Sequence, residues 1–267
     1  MRNTAIIIPC YNEETRLPQR EFLNYAQLNG KIHFLFVDDC SSDATGRIID
    51  ELCMQRPQQF FGLHLPHNLG KAGAVRAGFM EAFAGEYETI GFWDADLATP
   101  LSEINDFCAL LADSHHQLVL GARVRLLSRR IERQPARHYL GRIFATLASI
   151  TLGLTIYDTQ CGAKLFANTQ ALRQVFAKPF TVSWIFDVEI LARYILLTKY
   201  QGAAPLADIA CEYPLRKWFD VPGSKLKARD FGVAILEMAK IWRMLRSSRS
   251  RQYYEEFCGV TPDKTPK

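Results

Sequence analysis

The sequence predicts an α/β fold built on a doubly wound, mostly parallel sheet, and three observations carry that prediction. Short apolar runs alternate with helix-period stretches through the first half of the chain. The helix-period stretches between successive runs are long enough to cross over between parallel strands. Several runs end in acidic or polar residues, which suits a fold that binds ligands beyond the carboxyl ends of its strands.

In chain order, strands are expected over residues 4–9, 32–38, 61–65, 89–94 and 118–122, and helices over 22–29, 44–56, 72–83 and 102–112. Asp43 is placed to cap the second helix. Ser102, with Asn105 three residues on, opens the fourth after Pro100. The texture then changes. Residues 125–142 are basic and polar, with a loop expected at Gln134-Pro135, followed by an apolar helix over 143–152. A further α/β-like stretch runs to about Pro214. One long basic amphipathic helix is expected over 227–251, where Phe231, Ile235, Met238, Trp242 and Leu245 recur at helical spacing. Residues 261–267 read as a frayed end, so the division is a catalytic domain over 1–225 and a basic helix with its tail over 226–267.

Bulk properties narrow the function. The 267 residues are 48% hydrophobic and 22% charged, ordinary globular values, and a net charge of +4 does not suggest a nucleic-acid binder. The longest apolar stretch is shorter than the roughly 20 residues a membrane span needs, and no export signal precedes the first strand. Seven cysteines, an odd number without C-x-x-C spacing, read as reduced thiols of a cytoplasmic protein rather than a zinc site. His64, His67, His115 and His116 show no ligand spacing and read as structural or surface residues.

The chemistry concentrates at four strand ends: Pro9-Cys10-Tyr11-Asn12-Glu13, Asp38-Asp39-Cys40-Ser41-Ser42-Asp43, Asp94-Ala95-Asp96 and Gly121-Ala122-Arg123. If the strands are parallel, all four gather along one edge. Mg²⁺ and Mn²⁺ are usually held by one or two carboxylates plus substrate phosphates, and acids one residue apart on an extended chain face the same side. Taken alone, Asp94-x-Asp96 is better explained by a solvated strand end. With Asp43 free to cap the helix, Asp38 and Asp39 remain to be explained. Asn68-Leu69-Gly70-Lys71-Ala72-Gly73 is not a phosphate loop: Leu65 stands where the first glycine belongs and Ala72 where Ser or Thr belongs. A closely packed helix start and a role in the ligand site remain open for it.

In this order the motifs resemble the family 2 inverting glycosyltransferases: Pro9-x-Tyr11-Asn12-Glu13, Asp38-Asp39-x-Ser41-x-Asp43, Asn68-x-Gly70-Lys71 and Asp94-x-Asp96. Gly121-Ala122-Arg123, residues 158–166 (DTQCGAKLF), Phe186-Asp187-Val188-Glu189 and Gly223-Ser224-Lys225-Leu226 are similar to stretches of the polyprenyl-phosphate sugar synthases. The resemblance covers roughly residues 4–245 and is strongest to the dolichyl-phosphate β-glucosyltransferase and polyprenyl-phosphate mannose synthase group. Three features depart from it: no N-terminal membrane anchor is expected, Ala163 replaces the usual Phe, and Ala98 stands where mannose synthases carry Gln.

The resemblance implies a GT-A fold, a Rossmann-like nucleotide-binding sheet with an acceptor-binding extension. It implies a nucleotide-sugar donor held by Pro9, Tyr11, Glu13, Asp39, Asp94, Ala95, Asp96, Arg123 and Lys225, with Mg²⁺ or Mn²⁺ on Asp96 and Asp94. Asp96, Arg123 and Arg142 are the expected catalytic residues, the two arginines facing a polyprenyl phosphate acceptor. Ala98 favours UDP-glucose over GDP-mannose as the donor. Transfer to a soluble glycan and a non-catalytic nucleotide-sugar binder are the alternatives. A lipid acceptor implies peripheral contact with the cytoplasmic face of a membrane, through the helices over 143–152 and 227–251.

Overall fold

The computed structural model describes residues 2–258 apart from 114, 128, 133–134 and 222–227. The first half follows the expected alternation: β1 (Thr4–Cys10), α1 (Gln19–Leu28), β2 (Ile32–Asp38), α2 (Thr45–Gln55), β3 (Phe60–His64), α3 (Gly70–Ala82), β4 (Thr89–Trp93), α4 (Glu103–Asp113) and β5 (Leu118–Ala122). The second half comprises β6 (Arg130–Glu132), α5 (Pro135–Leu152), β7 (Ala163–Ala167), α6 (Gln170–Ala177), α7 (Phe186–Gln201) and α8 (Leu206–Ile209). It ends with β8 (Ala210–Pro214), β9 (Lys217–Phe219), α9 (Ala228–Arg246) and α10 (Ser250–Cys258).

The main sheet runs β3-β2-β1-β4-β7-β5-β8, and β6 pairs with β9 in a separate two-stranded sheet. β1 is parallel to β2 and β4, whereas β7 is antiparallel to both β4 and β5. Two reversals restore the direction, so β1, β2, β4 and β5 all end at the same edge. β1 shows why the sheet needs helices on both faces. Ile6 and Ile8 enter one core cluster and Ala5 and Ile7 the other, and Ile6, Ile7 and Ile8 are wholly buried. A strand buried on both sides reads as a continuous apolar run. α3 lies so close to the sheet that a Cβ at Gly78 would press into the Ile7 side chain.

Three expectations are corrected. Pro135 is not in a loop: it opens α5, the helical position whose missing N–H costs least; Gln134 lies outside the described residues. The long C-terminal helix is two helices, broken after Arg246. The break is anchored by Ser250, whose buried hydroxyl bonds Tyr200 Oη and Lys199 Nζ on α7. Its buried stripe is Ala234, Met238, Ile241 and Leu245, while Ile235 and Trp242 are exposed. α9 packs on α5 and α7, and α10 on α6 and α7. Among the described residues, no helix is long and apolar enough to cross a membrane. Residues 261–267, read as a frayed end, lie outside the described residues.

Candidate active site

The loops leaving β1, β2 and β3 are knitted together by short polar side chains. Asn12 takes a left-handed conformation (φ 51°), which asparagine tolerates, and donates its N–H to Ser41 Oγ while its Oδ1 accepts the Ser42 N–H. The Glu13 N–H bonds Thr45 Oγ1. Asp38 Oδ1 accepts the Ser41 N–H, and Asp43 accepts the Thr45 N–H at the start of α2, close to its expected capping role. Asp39 is almost wholly buried; its Oδ1 accepts the Leu69 N–H at 2.6 Å and its carbonyl accepts from Asn68 Nδ2. Burial pushes the Asp39 carboxyl above its ordinary range, against the Leu69 and Gly70 N–H groups. His64, at the end of β3, lies between Asp38 and Asp50 at 3.3 and 2.9 Å, the structural role expected of it.

These loops and the end of β4 enclose a cleft of about 370 Å³, within the usual size of a small-ligand site. Pro9, Tyr11, Glu13, Asp39, Asp94, Ala95 and Asp96, all singled out from sequence, line it, and Arg16 and Lys71 join them. The turn carrying the two acids is fixed from behind. The buried Trp93 donates its Nε1–H to the Thr99 carbonyl at 2.8 Å, and the Ala98 carbonyl accepts the Phe219 N–H from β9. Asp94 Oδ1 bonds Lys71 Nζ at 2.5 Å. Asp96 accepts the Ala98 N–H on Oδ1 and Arg16 Nη2 on Oδ2, at 3.1 and 2.6 Å. Burial and the neighbouring Asp94 charge raise the Asp96 pKa, opposed by the Ala98 N–H, Arg16 and Lys71.

β7 brings the segment before it against this turn. The Asp94 N–H bonds the Gly162 carbonyl at 2.9 Å, and a Cβ at Gly162 would displace the Asp94 carboxylate from its present position. Residues 157–160 of this segment line a cavity of about 20 Å³, room for about one water or one phosphate oxygen. Arg123, Arg142, Tyr157, Thr159 and Gln160 are among its lining residues. Arg142 stacks its guanidinium 3.9 Å from the centre of the Tyr157 ring. Arg123 is committed differently: Nε and Nη2 grip the two Asp158 carboxylate oxygens at 2.6 and 2.8 Å. It therefore belongs to this cavity and does not line the donor-sized cleft. Burial opposes its charge, but Asp158 raises its pKa further still. The Thr159 hydroxyl is buried without a partner among the described residues. Lys225 lies outside the described residues.

Arg16, Lys71 and Gly162 were not assigned roles from sequence. Lys71 sat inside the noted Asn68–Gly73 motif, of which Asn68, Gly70 and Lys71 line the cleft. Gly162 sat in a recognised stretch, but only three-dimensional proximity to Asp94 reveals its purpose. Nothing in its local pattern marks Arg16.

A carboxylate-bearing cleft at the carboxyl edge of an α/β sheet lies where such folds bind their ligands, with an arginine-lined cavity close by. The chain belongs to glycosyl transferase family 2, whose profile it matches over residues 5–174, and it is a glycosyltransferase. It is 32% identical over 240 residues to the mouse dolichyl-phosphate β-glucosyltransferase, covering 84% of this chain and 70% of that protein. A Trichomonas vaginalis dolichyl-phosphate β-glucosyltransferase is 29% identical over 256 residues, covering 90% of this chain and 74% of the relative. The fold is GT-A. Glucosyl-3-phosphoglycerate synthase from Mycobacterium tuberculosis, solved with Mn²⁺, UDP and glucosyl-3-phosphoglycerate, superposes with a TM-score of 0.54 at 17% identity, covering 98% of this chain and 82% of that one.

Proposed function

We propose that this enzyme transfers glucose from UDP-glucose to a polyprenyl phosphate, with inversion at the anomeric carbon. The observation that carries the reading is that one segment, residues 157–162, both lines the arginine-bearing cavity and bonds the Asp94–Asp96 turn of the cleft. The named relatives act on dolichyl phosphate, which agrees with it.

In this reading Tyr11, 41% exposed at the mouth of the cleft, stacks on the base, and Glu13 and Asp39 accept bonds from base or ribose. A divalent metal fits the donor set. Asp94 and Asp96 both line the cleft, and such an ion takes one or two carboxylates and completes its shell with diphosphate and water. Asp96 would hold the ion, with Asp94 beside it; bound there, Mg²⁺ or Mn²⁺ supplies Lewis-acid stabilisation to the leaving nucleoside diphosphate. Lys225 adds positive charge to that diphosphate.

The acceptor needs no strong base. A phosphate monoester has its second pKa at about 6, so its oxygen is already anionic at neutral pH. The requirement is to hold one anion beside another, which the guanidinium of Arg142 serves, with Arg123 fixing residues 158–160 around it. α5 also addresses the lipid. It carries Arg142 at the cavity and exposes Ile143, Leu147 and Ile150. Neighbouring α9 exposes Ile235, Leu236 and Trp242 together with Lys240, Arg243 and Arg246. Apolar side chains ringed by cations suit an anionic bilayer surface, which we place on the cytoplasmic side.

One experiment tests donor and membrane together: radiolabelled UDP-glucose, GDP-mannose and UDP-N-acetylglucosamine, each with polyprenyl phosphate embedded in anionic vesicles. Label from UDP-glucose is expected to become organic-soluble, and the protein to float with the vesicles. Organic-soluble label from GDP-mannose instead overturns the donor assignment. Full activity by protein left in the dense fraction overturns the membrane face.

A further inference from the structure

Each acid of the Asp94-x-Asp96 pair already holds a cation supplied by the chain. Lys71 sits on Asp94, and Arg16 Nη2 lies 2.6 Å from Asp96 Oδ2. The second Asp96 oxygen accepts the Ala98 N–H, so neither oxygen is without a partner. Arg16 is not there by chance of a floppy loop. The Arg16 and Leu17 N–H groups both bond the Glu13 carbonyl at 2.9 Å, and Leu17 is buried, which holds the base of the side chain in place. The Arg16 side chain is only 19% exposed.

The same guanidinium has donor capacity to spare. Its Nη1 lies in a long 3.5 Å ion pair with Glu13, and among the described residues its buried Nε has no hydrogen-bond partner. A bare divalent ion approaching Asp96 therefore meets a carboxylate already neutralised, and a like charge within a few ångströms of its own position. A diphosphate entering the cleft changes that balance. It offers Arg16 new anionic oxygens that match a planar fork of donors.

We propose that Arg16 makes metal capture depend on the donor: it holds Asp96 in the free enzyme and exchanges it for the diphosphate when the nucleotide enters. The proposal rests on Asp96 being the metal ligand and goes beyond that reading by naming what occupies Asp96 beforehand.

The test is by binding, with no sugar transfer. Mn²⁺ alone is titrated by electron paramagnetic resonance into wild type, Arg16→Gln and Arg16→Lys, and UDP alone is titrated calorimetrically in chelator. Arg16→Gln is expected to bind bare Mn²⁺ about tenfold more tightly than wild type, the ratio for removing one competing charge-assisted bond. It is expected to bind metal-free UDP several-fold more weakly. Arg16→Lys keeps the charge and should hold bare Mn²⁺ as weakly as wild type. A misfolded variant loses both affinities, so the opposed directions identify the exchange. Equal Mn²⁺ affinity in wild type and Arg16→Gln, or unchanged UDP affinity, overturns the proposal. Protein-bound Mn²⁺ absent from wild type even with UDP present overturns the metal reading itself.

Discussion

Replacing Asp96 with asparagine is expected to lower kcat by about three orders of magnitude, since Lewis-acid stabilisation of a leaving group supplies several kcal/mol and each 1.36 kcal/mol is tenfold. Asparagine is nearly the same shape and can still accept the Ala98 N–H through its carbonyl oxygen, so the turn behind Trp93 should survive. What it cannot do is present an anionic oxygen to a metal or to Arg16. Burial and the Asp94 charge already disfavour the charged carboxylate, which offsets the loss of the Arg16 ion pair, so stability should fall little. Turnover and thermal unfolding measured on the same preparation separate the effects. The account predicts a collapse of turnover at nearly unchanged Tm. Turnover within about tenfold of wild type would contradict the metal role, since a lost Lewis acid costs far more than one such factor.

Lys164→Met is expected to destabilise the fold by about 3–5 kcal/mol, the usual cost of breaking a buried ion pair from one side. Lys164 lies on β7 opposite Phe92 of β4 and is wholly buried. Its ammonium bonds Asp187 Oδ1 and the Cys161 carbonyl, both at 2.6 Å, and sits 5.2 Å from the centre of the Phe92 ring. Methionine matches the stem in length but leaves the Asp187 carboxylate buried at the start of α7 without its cation. Urea unfolding reads the loss directly, and against a total stability of about 5–15 kcal/mol it is large. Adding Asp187→Leu should recover part of it, because the double variant removes the stranded charge. A single-variant loss below about 1 kcal/mol would place the pair among those contributing little. The Cys161 contact ties this pair to the active site, since Cys161 precedes Gly162, whose carbonyl holds the Asp94 N–H.

Much of the sheet was readable because β1, β2, β4 and β5 are short apolar runs buried along nearly their whole length, whereas β3 is a half-exposed edge strand. The expected limits for β2 and β5 coincide with the structure, and those of β1, β3 and β4 differ by one residue. The acids were readable as a set because their order along the chain is specific even though each pair alone is ordinary. The position of β7 was not readable. Antiparallel insertion between β4 and β5 depends on which strand edges remain open after the rest has packed, and no local period records that. Yet this insertion brings residues 157–162 into contact with both the Asp94–Asp96 turn and the arginine-lined cavity. The C-terminal helix misled for another reason. Ile235, Leu236 and Trp242 are exposed apolar residues, so the true stripe through Ala234, Met238 and Ile241 did not stand out, and the break at Ser247–Ser250 depends on hydroxyl contacts with α7. Arg16 lies between a strand and a helix, where no periodicity constrains residue type, and only its distance to Asp96 gives it a part.

The central claim is that a sugar leaves a nucleotide in the Asp94–Asp96 cleft and arrives, inverted, on a phosphate oxygen at the Arg142 cavity. The most direct measurement is ¹H and ³¹P magnetic resonance of the products from UDP-glucose and a short polyprenyl phosphate. UDP and β-linked glucosyl lipid phosphate should form in equal amounts, with no free glucose. An α-linked product, or glucose released to water while the lipid phosphate remains unchanged, would contradict the account.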